Sequence, residues 1–262
     1  MTALRFVQVD AFASRPFKGN PAAVIPLDAW LPDPTMQSIA AENNLSETAF
    51  TIRSGRDDAD YDLRWFTPTV EVDLCGHATL ASAHVLIEGE HIRFSTRSGI
   101  LAVRRGAGDL LELDLPAYPV DEGVEPGLLD ALGLPAATPT YLSHGGNNSA
   151  LALLTDEAAV RAVAPDYRAL RAIDRLVIVT APGDATDIAS RVFAAYHGID
   201  EDPVTGSAHA ALVPFWADRL GRDRFTAFQA SKRGGHLDCH LAGDRVLLGG
   251  RCVTMIEGVF NL

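Results

Sequence analysis

The sequence predicts a mixed α/β (α+β) protein of two pseudo-symmetric halves, each a curved sheet wrapped around a central helix. Three observations predict it. Segments of the first half recur in the second at a nearly constant offset, and the recurring segments alternate between strand-like and helix-like patterns. Each half also holds one helix with little charge in its first turns, which marks a buried helix rather than a surface one.

The repeat sets the order of elements. Gly19-Asn20-Pro21-Ala22-Ala23-Val24 is echoed 127 residues later by Gly146-Asn147-Asn148-Ser149-Ala150-Leu151, each opening an apolar strand-like run. Arg64-Trp65-Phe66 and the following Gly76-His77-Ala78-Thr79-Leu80-Ala81 are echoed by Arg191-Val192-Phe193 and Gly206-Ser207-Ala208-His209-Ala210-Ala211, at offsets of 127 to 130. STRSGILAVRRGAGDLLELDL (95–115) resembles ASKRGGHLDCHLAGDRVLLGG (230–250), two strands about short turns at 106–109 and 242–244. The halves are expected to be 1–116, joined by a C-terminal strand near 254–262, and 117–253. Their junction falls in the Pro-, Gly- and acid-bearing stretch Pro116 to Pro126.

Within each half the expected order is strands, an exposed helix, a strand, a small-residue helix and a closing hairpin. The first exposed helix is expected over 34–44, with Asp33 as its cap and Pro34 in its first turn. Its counterpart, 155–163, opens on Thr155-Asp156-Glu157. The central helices are expected over 77–88 and 207–220, starting at Gly76 or His77 and at Gly206 or Ser207. Each tip then needs something polar to face, and pseudo-symmetry suggests that the tips face one another across the domain interface. A helix N-terminus offers unpaired N–H groups and about half a positive charge, so two together would hold a carboxylate or an enolate-like charge.

Composition removes several classes of function. The formal net charge is -12 and the densest basic run is Lys232-Arg233, which excludes a nucleic-acid partner built on clustered cations. Lys18 and Lys232 are the two lysines, so Schiff-base chemistry has few candidates. Arg5 and Asp10 interrupt the N-terminal strand, leaving no signal peptide or membrane span and implying a cytoplasmic protein. Cys75, Cys239 and Cys252 lack C-x-x-C spacing, which speaks for reduced thiols and against a zinc site built on cysteines. His236, Asp238 and His240 would share one strand face, but that segment reads as an amphipathic hairpin with its polar residues in solvent, so no metal is expected.

Glu47 in NNLSETAFT, His77 in FTPTVEVDLCGHATLASA, and Asp202 to Ser207 in GIDEDPVTGSAHAAL resemble the motifs of the phenazine-biosynthesis (PhzF-like) isomerase family. The resemblance spans essentially the whole chain, from VDAFASRPFKGNPAAVIPL through QASKRGG to the end. It implies a diaminopimelate epimerase-like fold with the active site in the cleft between the halves, a homodimer, and no cofactor. It also implies Glu47 as the proton-transferring carboxylate, with His77, Asp202 and Ser207 as its polar companions. The substrate would be a small carboxylate-bearing molecule, held at Gly76, Thr205, Gly206 and Asn20. A carboxyl enclosed between domains is expected to have its pKa raised, so that it takes and returns a proton near neutrality.

Cys75 precedes the glycine of one tip, whereas Thr205 precedes the other. The same-fold racemases that work from two faces carry a cysteine at both, so a two-thiol mechanism is not expected. An epimerase using Cys75 with a carboxylate as second base stays open, as does a non-catalytic small-acid receptor. A thiol just before a helix N-terminus is expected to have a lowered pKa. Cys75 and His236 both differ from what the phenazine isomerase itself is expected to carry, which points to another substrate within the family.

Overall fold

The structure, a computed structural model, describes residues 2–143 and 148–262. The Gly146-Asn147 end of the first repeat match lies outside the described residues. The chain divides into two compact units, Met1–Asp114 with Gly249–Leu262, and Leu115–Leu248.

In the first unit β1 (Ala3–Ala11) pairs antiparallel with β2 (Asn20–Pro26) and with the C-terminal strand Cys252–Asn261. A crossover through α1 (Asp33–Asn43) leads to β3 (Glu47–Arg53), parallel to β2 with Ala22 opposite Glu47. β4 (Tyr61–Phe66) runs antiparallel to β3, and the short β5 (Glu71–Val72) turns back on it. After α2 (Gly76–Leu86) comes β6 (His91–Thr96), parallel to β4, and then β7 (Gly99–Arg105) and β8 (Leu111–Pro116) in an antiparallel meander.

Local pattern explains these elements. Ala22 to Ile25 are all fully buried, the continuous apolar run of a strand covered on both faces. Along β4, by contrast, Tyr61, Leu63 and Trp65 are buried while Asp62 and Arg64 between them are half-exposed. In α1, Met36, Ile39 and Ala40 fall at the spacing of one helix face and pack with Ile25, Phe50 and Phe66; burying Met36 or Ile39 stabilises by about 1.5–3 kcal/mol. The helix begins one residue earlier than expected, however. Pro32 is its N-cap, with no side-chain cap bond. Asp33, expected as the cap, is its first residue and reaches Arg64 Nη1 at 2.9 Å. Its charge still lies near the positive end of the helix.

The second unit follows the same plan. β9 (Val120–Glu122), the short helix α3 (Leu128–Leu132), β10 (Thr140–Ser143) and β11 (Ser149–Leu153) open it. The crossover helices α4 (Glu157–Ala162) and α5 (Tyr167–Leu170) lead to β12 (Leu176–Pro182), parallel to β11. Asp156 caps α4 by accepting from the Ala159 N–H at 2.8 Å. β13 (Ile188–Ala194) is antiparallel to β12 and takes β14 (Ile199–Asp202) on itself. After α6 (Gly206–Leu220), β15 (Arg224–Gln229) lies parallel to β13, followed by β16 (Gly235–Ala242) and β17 (Arg245–Gly250).

Strand directions therefore repeat pair by pair: parallel, antiparallel, parallel in β2-β3-β4-β6 and again in β11-β12-β13-β15. The α/β class and the duplicated plan predicted from the sequence are both present. Even an ion pair repeats, Arg64 Nε to Glu71 Oε1 and Arg191 Nε to Glu201 Oε1, each at 2.7 Å. The likeness does not extend to every side chain. Ser149, the counterpart of Ala22, lies opposite Leu176 where Ala22 lies opposite Glu47.

The two central helices are buried as predicted. Gly76 through Ala83 are all buried, and so are Gly206 and every residue from Ala208 to Val213. Helix α6 contains Pro214, whose missing N–H leaves the Ala210 carbonyl without its helical donor. The Tyr118 N–H supplies that bond at 2.9 Å. On β16, His236 and Asp238 are exposed and Leu237 and Cys239 buried, the amphipathic strand that was expected.

Candidate active site

In the first unit Asn20 begins β2, Glu47 begins β3, Cys75 is the N-cap of α2, and Gly76 and His77 are that helix's first two residues. Parallel pairing of β2 with β3 brings Asn20 and Glu47 near each other, and the packing of α2 against those strands brings in Cys75 and His77. Among the described residues no side chain caps α2. Its first-turn N–H groups keep the capacity to bind an anion that a capping serine or aspartate would use.

His77 is the hub of this group. Its Nε2 lies 2.9 Å from Glu47 Oε2, an ion-pair distance, yet the pair is not aligned as a hydrogen bond. Both atoms are buried with no hydrogen-bond partner among the described residues. On the other side of the ring, Nδ1 is 3.1 Å from Asn20 Nδ2 and 3.5 Å from Cys75 Sγ. Ser46 Oγ donates to Asn20 Oδ1 at 2.9 Å. With its amide nitrogen toward the ring, Asn20 makes Nδ1 an acceptor and leaves the hydrogen of the neutral imidazole on Nε2, facing Glu47. A half-turn of that amide presents Oδ1 instead and serves the doubly protonated ring, with Ser46 Oγ then accepting.

Charge follows from these contacts. Burial alone lowers the His77 pKa, but attraction from Cys75 and Glu47 outweighs it and raises the imidazole well above its usual value. Burial pushes the Cys75 thiol up to about 11, and the Glu47 charge adds to this against the opposing pull of His77. The lowered thiol pKa expected from a helix N-terminus is therefore not what the structure has. Loss of hydration and a neighbouring carboxylate outweigh the helix field. At neutral pH Cys75 is a thiol.

In the second unit Asp202 ends β14, Thr205 is the N-cap of α6, and Gly206 and Ser207 are its first two residues. Ser207 lies inside the helix, and the N-cap position belongs to Thr205. The Thr205 hydroxyl does not cap, because it donates to the Asp202 carboxylate. Gln229 organises the group. Its Nε2 donates to the Asp202 carbonyl at 2.8 Å and to Thr205 Oγ1 at 3.1 Å, and its Oε1 accepts from the Thr205 N–H at 2.9 Å.

The two tips share a further device. Thr79 Oγ1 donates to the Cys75 carbonyl at 2.6 Å, and at the equivalent place His209 Nδ1 bonds the Thr205 carbonyl at 2.8 Å. Each N-cap residue is thereby tied to its own helix. Sequence reasoning missed Ser46 and Gln229. Ser46 had a signal in standing directly before Glu47. Gln229 had a weaker one, a neutral polar residue ending a strand, and it is fully buried.

The fold is a duplicated α/β arrangement of the epimerase-like kind. A hydroxyproline epimerase from Agrobacterium vitis superposes with a TM-score of 0.63 at 11% identity, over 98% of this chain and 92% of its own, which is a likeness of fold. The family model of the phenazine biosynthesis-like proteins (PhzC-PhzF) matches residues 9–258, and the chain belongs to this PhzF-like isomerase family. It is 52% identical to an uncharacterised isomerase of Pseudomonas aeruginosa across 99% of both chains. A crystal structure of a PhzF-family phenazine biosynthesis protein from Enterococcus faecalis matches with a TM-score of 0.91 at 44% identity, over 100% of both chains. Among the described residues no helix is long and apolar enough to cross a membrane.

Proposed function

We propose that this chain is a cofactor-independent isomerase in which Glu47 takes a proton from an activated carbon of a small carboxylate-bearing substrate and returns it elsewhere on the molecule. The observation that carries the reading is the Glu47–His77 pair: a buried carboxylate oxygen and a buried ring nitrogen 2.9 Å apart, neither making a hydrogen bond among the described residues. Buried polar atoms in a native protein are nearly always bonded, so an unbonded pair suits a site completed by its substrate. Family membership gives the same direction.

In this reading the uncapped N–H groups at Gly76 attract the substrate's anionic group, and His77 orients the substrate beside Glu47. Asp202, Thr205, Gly206 and Ser207 are assigned to the same substrate, on the strength of the repeat and of the family motif. The protein is further proposed to act as a cytoplasmic homodimer. Cys75 is left out of the proton transfer. A protonated thiol cannot act as a base, and its repeat counterpart is Thr205, a still weaker acid.

The test is solvent exchange. Turnover of candidate small acids in deuterated water should place deuterium on carbon, and Glu47→Gln should lower the rate by about 10²–10⁴-fold, the usual contribution of a general acid–base group. Full activity in Glu47→Gln would overturn the assignment.

A further inference from the structure

We propose that Glu47, Cys75 and His77 form a binding site for a thiophilic divalent transition-metal ion of the zinc type, and that the bound ion shuts the enzyme off. These residues offer a carboxylate oxygen, a thiol sulfur and a ring nitrogen, all within 4.8 Å of one another. Ligands around a four-coordinate zinc stand about 3.3–3.6 Å apart, given bond lengths of about 2.0–2.3 Å. The ion would take His77 Nε2, which stands 2.9 Å from Glu47 Oε2, about 0.5 Å short of that separation. The remaining edges close with side-chain adjustments of about 1 Å.

A second observation points to a ligand. Glu47 Oε2 and His77 Nε2 are buried without hydrogen-bond partners among the described residues, on side chains only 10% and 5% exposed. An ion bonded to both would end that deficit. Oxygen, nitrogen and sulfur donors together suit zinc and its neighbours better than magnesium or calcium, which prefer oxygen alone. Asn20 suits the arrangement as well. With Nε2 as ligand, its amide turns to accept the Nδ1 hydrogen while Ser46 Oγ accepts from it, the outer support that metal-bound histidines generally have.

The exchange balances simply. The metal–sulfur bond forms as the Cys75 S–H bond breaks, and the proton passes to solvent. No oxidant or reductant takes part. The fourth position is left to water or to a substrate carboxylate. Binding rests on the geometry alone, whereas loss of turnover rests also on Glu47 being the base, because a carboxylate holding an ion cannot accept a proton.

Cobalt(II) titration of the purified full chain separates the two. The expected result is one cobalt per chain, with a thiolate-to-cobalt charge-transfer band and visible bands of tetrahedral type that zinc bleaches. Cys75→Ser should abolish the charge-transfer band, and Glu47→Gln should weaken binding by at least about tenfold. Cys252→Ser should leave the spectrum unchanged, and a native melting curve for Cys75→Ser would show that removing its thiol leaves the fold intact. Absence of the band in the native chain, or its survival in Cys75→Ser, overturns the site. Zinc should inhibit in competition with substrate over the concentrations that bleach the cobalt spectrum. Bands without inhibition would support the metal site but count against Glu47 as the base.

Discussion

Glu47 and His77 gain their character from neighbours that do no chemistry themselves. Asn20 bonds the Nδ1 side of His77, and Ser46 holds Asn20 in place. Asn20→Ala should therefore lower kcat by about tenfold, the worth of roughly 1.4 kcal/mol in a hydrogen-bonded network, with little change in KM. A change confined to KM would instead make Asn20 a substrate ligand. His209 gives a prediction about stability. Burial lowers its pKa from 6.5 to about 4, opposed by its bond to the Thr205 carbonyl. Between those values the unfolded chain takes up the proton and the folded chain does not, so stability is lost as pH falls. The contribution is whole above pH 6.5 and declines toward pH 4, by about 2 kcal/mol at pH 5. Urea unfolding at pH 7 and pH 5 should show His209→Gln losing less stability on acidification than the wild type. Equal losses in both proteins would refute this.

At the scale of elements, the site depends on how strands and helices are terminated. Gly19 has φ +65°, and a Cβ placed there would sit 2.0 Å from the Ala11 carbonyl oxygen. This turn delivers the chain into β2 with Asn20 as its first residue. Gly19→Ala should cost about 2 kcal/mol or more, because backbone must move to accept it, and should lower activity by displacing Asn20. An unchanged melting temperature would show that the turn yields freely. The helix ends were the least legible part of the sequence. Both central helices were visible in their small, uncharged residues, and their starts at Gly76 and Gly206 were foreseen. Asp33 looked like a cap because composition alone cannot say where a carboxylate finds a better partner. Asp33 found Arg64. At the second tip Thr205 holds the cap position, and it found Asp202.

At the scale of the molecule, duplication was legible because apolar periodicity and glycine placement survive where chemistry diverges. Each unit repeats the same pairings of strands, yet Glu47 answers to Leu176, Cys75 to Thr205 and His77 to Ser207. The Cys75 pKa was not legible, because it depends on burial and on Glu47, which is close in space and 28 positions away in the chain. Gln229 escaped notice for the same reason, since its partners Asp202 and Thr205 lie more than twenty positions upstream.

The exchange of Glu47 for Leu176 has a stereochemical consequence. If Glu47 alone takes and returns the hydron, as proposed, removal and redelivery use the same face of the substrate and the shift is suprafacial. If the site admits water more slowly than the carboxylate redelivers, part of the abstracted isotope comes back to the same molecule. A substrate labelled with deuterium at the reacting carbon should then yield, in ordinary water, product that keeps some label at its new position. Complete washout at every substrate concentration would mean that solvent reaches Glu47 faster than the second half of the reaction.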